Sequence, residues 1–198
     1  MDTNNKKNII IYAVVAIVVV AIVVYALMSG VGGPGADVQQ GEVGEKTDQG
    51  IVTEKGVVAA PGTSPISTST GEVVTPEGKP VQNDVVPGTP QAPQQSNPTT
   101  PEALPAAAIK ISVSAAGYSP NQFTVKSGSP VTLSVTATDS QTHVFAFDDA
   151  SLSAVAVGVA PGETRAITFN APAKGEYSFT CNVPGHPGRG ETGKMIVN

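Results

Sequence analysis

Between Tyr25 and Tyr118 the chain contains no aromatic residue, and most of its seventeen prolines fall in that gap, from Pro34 to Pro105. A packed core without aromatics and with so much proline is improbable. Roughly the last 90 residues are therefore left as the one compact domain, a size at which a single small core is feasible. The formal charge of -5 arises upstream, because Lys110 to Asn198 contains six basic and six acidic side chains. This balance gives no footprint for nucleic acid, and none is expected as a partner.

At the N-terminus, Ile9 to Met28 form an unbroken apolar run of twenty residues. As a helix the run is about 30 Å long, enough to cross a bilayer. A cleaved signal peptide is the competing reading, but it calls for a shorter apolar region and small residues at the cut. Ala26, Leu27 and Met28 fit that poorly. Lys6 and Lys7 precede the run, and the next basic residue is Lys46, which by the positive-inside rule keeps the N-terminus in the cytoplasm. The expected organisation is a cytoplasmic tail over 1–8, a transmembrane helix over 9–28, a flexible Pro/Gly/Ser/Thr-rich linker over 29–107 and a folded domain over 108–198. That domain is then on the extracytoplasmic side, periplasmic or extracellular, of a single-pass cell-membrane protein.

In the linker, proline favours extended, solvated backbone, and the scattered valines show neither alternation nor a helical period. A faint echo joins "GIVTEKGVVAAPGT" to "GEVVTPEGKPVQNDVVPGTP", which leaves room for a short hairpin but not for a repeat domain. As a flexible tether the segment would span on the order of 50 Å.

Beyond Ala108 the texture changes to short alternating runs: "IKISVS", "FTVK", "VTLSVTAT", "HVFAF", "TRAITF", "EYSFTC" and "KMIV". Apolar residues at i and i+2, bounded by "GYSPN", "KSGSP", "APGET" and "APAKGE", are the signature of half-buried strands. Val131, Leu133 and Val135 fall on one face of their strand, with Thr132, Ser134 and Thr136 on the other. The pattern predicts an all-β fold, a two-sheet antiparallel Greek-key sandwich of seven to eight strands.

The only cysteine, Cys181, stands where "GEYSFT" runs out into "NVPGHPG", and one of only two histidines, His186, lies in the same loop. The other, His143, heads "HVFAF". A lone extracytoplasmic thiol with no partner in its chain is inert, paired between molecules, or bound to something. One thiolate and two imidazoles make the soft, trigonal set that suits a single copper ion cycling between Cu(I) and Cu(II). Structural zinc prefers four N or S ligands, and paired cysteines are absent. A Cys-His nucleophilic enzyme needs an orienting group and a substrate pocket that so small a domain does not advertise.

These stretches resemble the cupredoxins, small blue-copper proteins of the plastocyanin and azurin kind, over about Ile109 to Asn198. "GYSPNQFTVKSGSPVTLSVTATDSQTHVFAF" is similar to the strands that lead to the family's first histidine ligand. "GEYSFTCNVPGH" is similar to its cysteine strand and the loop to its second histidine. The resemblance implies that His143, Cys181 and His186 are equatorial copper ligands. It also implies a weak axial methionine after the second histidine, and here the chain departs from the pattern. In "HPGRGETGKMIVN" that slot holds Glu191, while Met195 falls inside the closing strand, so Glu191 is the axial candidate and Met195 its rival. A carboxylate is harder than a thioether and favours oxidised copper. Arg189 and Lys194 are close enough in sequence to pair with it and blunt that effect.

The resemblance therefore implies a non-enzymatic, membrane-tethered carrier of single electrons between membrane or extracytoplasmic redox proteins, with a monomeric copper domain. Two alternatives remain open. One is copper storage or delivery. The other is an open coordination position at which a small molecule reacts.

Overall fold

The computed structural model describes residues 58–198, so the apolar run 9–28, the tail 1–8 and the first part of the expected linker lie outside the described residues. Nine strands follow one another: β1 (Ile109–Ser114), β2 (Gly117–Ser119), β3 (Gln122–Val125), β4 (Pro130–Ala137), β5 (His143–Phe147), β6 (Ala156–Val159), β7 (Thr164–Asn170), β8 (Gly175–Cys181) and β9 (Thr192–Val197). They form a four-stranded sheet in the order β2-β1-β4-β7 and a five-stranded sheet in the order β3-β9-β8-β5-β6. Between the sheets Leu133, Val135, Phe145, Val157, Ile167, Phe169, Phe179 and Met195 are buried together in one cluster. Aliphatic and aromatic side chains at alternate positions of both sheets supply that core, as half-buried strands require.

Two features correct the expected sandwich. Among the described residues the strands number nine, because "GYS" and "AVGV" also pair, as β2 and β6. β2 hairpins onto β1 within a stretch that reads as turn chemistry, and β6 carries too short an alternation to be legible alone. The sheets are also not purely antiparallel, since β1 pairs parallel to β4 and β3 parallel to β9. The chain leaves the first sheet for β3 before returning beside β1, and β9 closes beside β3 from the far end of the sequence. Neighbours reached by such crossovers are free to run the same way.

The expected linker over 29–107 is corrected for its described part. Ala59, Ile66, Val73 and Val81 are buried in a small cluster of their own, and Ala60 and Leu104 pack with Ala166 of β7. Isolated antiparallel bridges join Ile66 to Val73 and Val74 to Pro80, the short hairpin that the echoed valines left room for. Others join Gln95 to Ile167 and Thr99 to Thr164 on β7. Ser96 N–H donates to Ala166 O at 2.8 Å, and Gly158 N–H of β6 donates to Gln95 Oε1 at 2.7 Å. β6 and β7 are edge strands of the two sheets, and the strap occupies hydrogen-bonding groups that an open edge would expose.

The strap also explains an unexpected burial on β4, where Thr132 and Ser134 are as hidden as Val131 and Leu133. Their face carries small hydroxyls rather than charges. Thr132 Oγ1 donates to Val58 O at 3.0 Å, and Thr168 Oγ1 lies 2.8 Å from Thr63 Oγ1 and 3.1 Å from Thr132 Oγ1. A polar face can be covered where its hydroxyls are satisfied, as those of Thr132 and Thr168 are by the cover and by each other. Proline suits the strap because its extended backbone draws hydrogen bonds from the sheet at only a few points.

Candidate metal centre

The site lies at one end of the five-stranded sheet, where three neighbouring strands bring their ends together. On the central strand β8, Cys181 is the last residue and pairs with Phe145 of β5. His143 stands two residues before Phe145, as the first residue of β5. Gln141 N–H donates to Asp139 Oδ1 at 3.0 Å, a local turn that delivers the chain into that strand. Asn182 N–H donates to Val144 O at 2.8 Å, holding the start of the ligand loop against β5.

The loop from Cys181 to Glu191 is pinched at its base, because Cys181 N–H donates to Glu191 O at 3.0 Å. Within it a 3-10 turn, Pro187–Arg189, starts from His186 and ends at Gly190, whose φ of 95° lies in the left-handed region. Only glycine takes that conformation at little cost, and it turns the chain back to place Glu191 beneath His186. The sequence "HPGRGE" is thus a compact return rather than a flexible excursion.

His143, Cys181, His186 and Glu191 each offer one ligand atom, and these atoms all lie within 4.8 Å of one another. Glu191 Oε2 is 2.8 Å from His143 Nδ1 and 2.9 Å from His186 Nδ1. Cys181 Sγ is 3.4 Å from His186 Nδ1 and 3.9 Å from His143 Nδ1. Donors held at about 2.0 to 2.3 Å by one ion stand no more than roughly 4.5 Å apart, so these four separations fit a shared metal. His143, Cys181 and Glu191 are wholly buried, and His186 keeps 8% of its surface exposed. A buried set of two imidazoles, one sulfur and one oxygen suits a single copper ion, the thiolate being the soft member and the carboxylate the hard one.

Electrostatics around the set are strongly shaped. Burial pushes the Cys181 thiol up, with the Glu191 charge adding to it, while the N–H groups of Val144 and Val183 oppose. A metal ion reverses that balance, since a coordinating thiol is deprotonated outright. Burial also works to raise the Glu191 carboxyl, but hydrogen bonds from His143, Cys181, Arg189 and His186 outweigh it and hold the group below its ordinary value. Arg189 donates to Glu191 Oε1 at 2.7 Å and to Gln141 Oε1 at 2.9 Å, clasping the ligand loop to the segment before β5. Tyr118 stands edge-on to Phe145 and Phe179, and burial, then the charges of Cys181 and Glu191, push its hydroxyl well above the usual range.

The rival methionine is elsewhere. Met195 is wholly buried in the core and pairs with Tyr177, four residues along β8 from Cys181. At a rise of ~3.3 Å per residue that is about 13 Å from the centre. Lys194 corrects a second expectation, for its Nζ pairs with Glu176 at 3.3 Å on the exposed side of the sheet and not with Glu191. Sequence reasoning also missed Asp139, whose Oδ1 lies 3.0 Å from His143 Nε2. Its only signal was an aspartate at the head of a turn four residues before a histidine.

A cupredoxin-like domain model matches residues 92–197, more than half of the chain. The chain belongs to this family. Among the cupredoxins it is similar to the chloroplastic plastocyanin of Oryza sativa subsp. indica, with 39% identity over 89 residues, 41% of this chain and 54% of that protein. It is also similar to the plastocyanin of Mercurialis perennis, with 36% identity over 90 residues, 41% of this chain and 87% of that protein. The chain spans about half the length of the chloroplastic plastocyanins of rice and barley that it matches. Dithionite-reduced auracyanin of Roseiflexus castenholzii superposes with a TM-score of 0.43 at 25% identity, over 47% of this chain and 98% of that one. The match to the domain model begins at residue 92, inside the stretch expected as linker, in keeping with the strap that packs on β7.

Proposed function

We propose that the protein is a type 1 copper electron carrier, tethered to the membrane by its N-terminal apolar run, that exchanges single electrons with extracytoplasmic or membrane redox proteins. The observation that carries this reading is the convergence of Cys181 Sγ, His143 Nδ1, His186 Nδ1 and Glu191 Oε2 in one buried pocket. His143, Cys181, His186 and Glu191 would hold the ion, the thiolate and two imidazoles as its soft set and the carboxylate as its hard member. The plastocyanin relatives support electron carriage over catalysis.

Bound copper supplies a one-electron couple. The chain's own residues do the rest. β5, β8 and the pinched loop hold the four donors on rigid elements, so that little rearrangement accompanies a change in charge. Glu191 puts an anionic oxygen against the ion and favours its oxidised form, while Arg189 moderates that charge. His186 is the only one of the four with exposed surface, which makes its ring edge the path for electrons. Val183, Pro184 and Pro187 flank it along the loop, Val183 half-buried and both prolines exposed. Such a small apolar rim suits the weak, brief interfaces of redox partners, and a membrane tether raises the effective concentration of partners on the same surface.

The test is the visible spectrum of the copper-loaded protein. An intense thiolate-to-copper charge-transfer band that bleaches and recovers with one electron per protein is expected. Colourless copper binding would refute the type 1 centre. A coloured centre that cannot be cycled would favour copper storage or delivery.

A further inference from the structure

The ring of His143 has two nitrogens, and the structure gives each a different neighbour. Nδ1 faces Glu191 and Cys181, whereas Nε2 faces Asp139 Oδ1 at 3.0 Å. The ring itself is wholly buried, so neither nitrogen can turn to solvent for a partner. Asp139 is held as firmly as the ring that it meets. Oδ1 also accepts from Gln141 N–H at 3.0 Å, and Oδ2 accepts from Ala115 N–H at 2.8 Å. The second of these bonds comes from the β1–β2 hairpin of the other sheet, so the carboxylate is fixed from two elements.

We infer that Asp139 is a positioning residue that assigns Nδ1 of His143 to the metal by retaining the proton on Nε2. Resting on the ligand set proposed above, the role follows from hydrogen-bond chemistry. An anionic carboxylate only accepts, so the nitrogen opposite it must carry the proton. Nδ1 also faces a carboxylate, Glu191 Oε2 at 2.8 Å, but Glu191 belongs to the donor set and Asp139 stands outside it, so a metal takes the place of the proton at Nδ1 while Asp139 keeps the one on Nε2. The same bond fixes the rotation of the ring and makes Nδ1 a better donor, as outer carboxylates do for metal-bound histidines generally. Losing such a partner typically lowers metal affinity by about 10–100-fold.

Zinc(II) is the probe, because a thiolate-imidazole-carboxylate set takes it without redox chemistry. Zinc affinity is measured by chelator competition for the wild type, Asp139→Ala and Asp139→Asn, with thermal midpoints of the metal-free proteins alongside. A loss of about 10–100-fold is expected for Asp139→Ala. A smaller loss is expected for Asp139→Asn, whose amide oxygen still accepts from Nε2–H. In the zinc form of the wild type the His143 Nε2–H should give a slowly exchanging proton resonance, absent from Asp139→Ala. Unchanged zinc affinity in both variants, with only the thermal midpoint lowered, would overturn the inference and leave Asp139 a turn former. A protein that passes the zinc test but shows no charge-transfer band with copper would sink the electron-carrier reading and keep Asp139 in its role.

Discussion

Replacing Arg189 by glutamine removes the one cation that touches the donor set among the described residues, while leaving a polar side chain on the loop. The guanidinium nitrogen lies 2.7 Å from Glu191 Oε1, and the opposite oxygen of the same carboxylate faces both imidazoles. The charge is thus about 6 Å from the point where the four donors converge, taking metal-ligand bonds near 2 Å. Oxidation adds one positive charge at that point, and Arg189 disfavours it. By Coulomb's law at an effective dielectric of about 20 the penalty is ~2.8 kcal/mol, and at about 60 it is ~0.9 kcal/mol. The Arg189 side chain is 37% exposed, which argues for the more screened end. At ~1.4 kcal/mol per 59 mV for one electron, Arg189→Gln should lower the reduction potential by roughly 40–120 mV, and nearer 40 mV as salt is raised. Spectroelectrochemical titration of the copper protein at low and high salt measures this directly. Lys194→Gln is the control, since Lys194 pairs with Glu176, and it should move the potential far less. A potential that rises in Arg189→Gln, or that responds equally to both substitutions, would refute the electrostatic reasoning.

Glu191→Met should raise the potential, because a neutral thioether stabilises Cu(II) less than an anionic oxygen does, whereas Met195→Leu should leave it nearly unchanged and alter only packing. Equal potentials for wild type and Glu191→Met, measured by the same titration, would remove the axial role from Glu191. Gly193 sits opposite Phe179, and a Cβ there would run into that ring and into the Asn121 carbonyl, so Gly193→Ala should cost about 1–3 kcal/mol. Urea unfolding of the metal-free protein tests this, and an unshifted midpoint contradicts it. The Ala160 N–H, and then Arg165, hold the Glu163 carboxyl below its ordinary value. A group depressed in the folded state stabilises above its unfolded pKa and loses that contribution as the pH falls through the folded one. Urea midpoints should therefore drop less between pH 6 and pH 3 in Glu163→Gln than in wild type, and parallel drops would exclude the contribution.

Much of the site was legible in the sequence because its chemistry is scarce. With one cysteine and two histidines, "TCNVPGH" and "THVFAF" left few ways to build a metal set, and alternation placed Cys181 and His143 at strand ends with His186 in the adjoining loop. Glu191 was legible as a departure from the family's axial methionine. Alternation alone also marked seven of the nine strands, since period-2 burial is written locally in each. It could not mark β6, a run of four small residues, or say that β1 and β4 run parallel, because partners and directions depend on where the chain crosses between sheets.

The larger failure concerned 58–107, where the sequence shows prolines, small residues and no aromatics, the composition of a solvated spacer. Whether such a segment is free or bound depends on the surface it meets, and that surface is made by Thr132, Ser134, Ala166 and Thr168, far along the chain. Distance decided the remaining questions too. Arg189 and Lys194 are five residues apart, yet the turn at Gly190 carries one to Glu191 while the pleat of β9 sends the other to Glu176. Local sequence therefore determined which atoms could hold a metal and which runs could be strands. Tertiary structure alone decided which nitrogen faces the centre, which charge screens it and what covers the sheet, because each depends on groups brought together from separate strands.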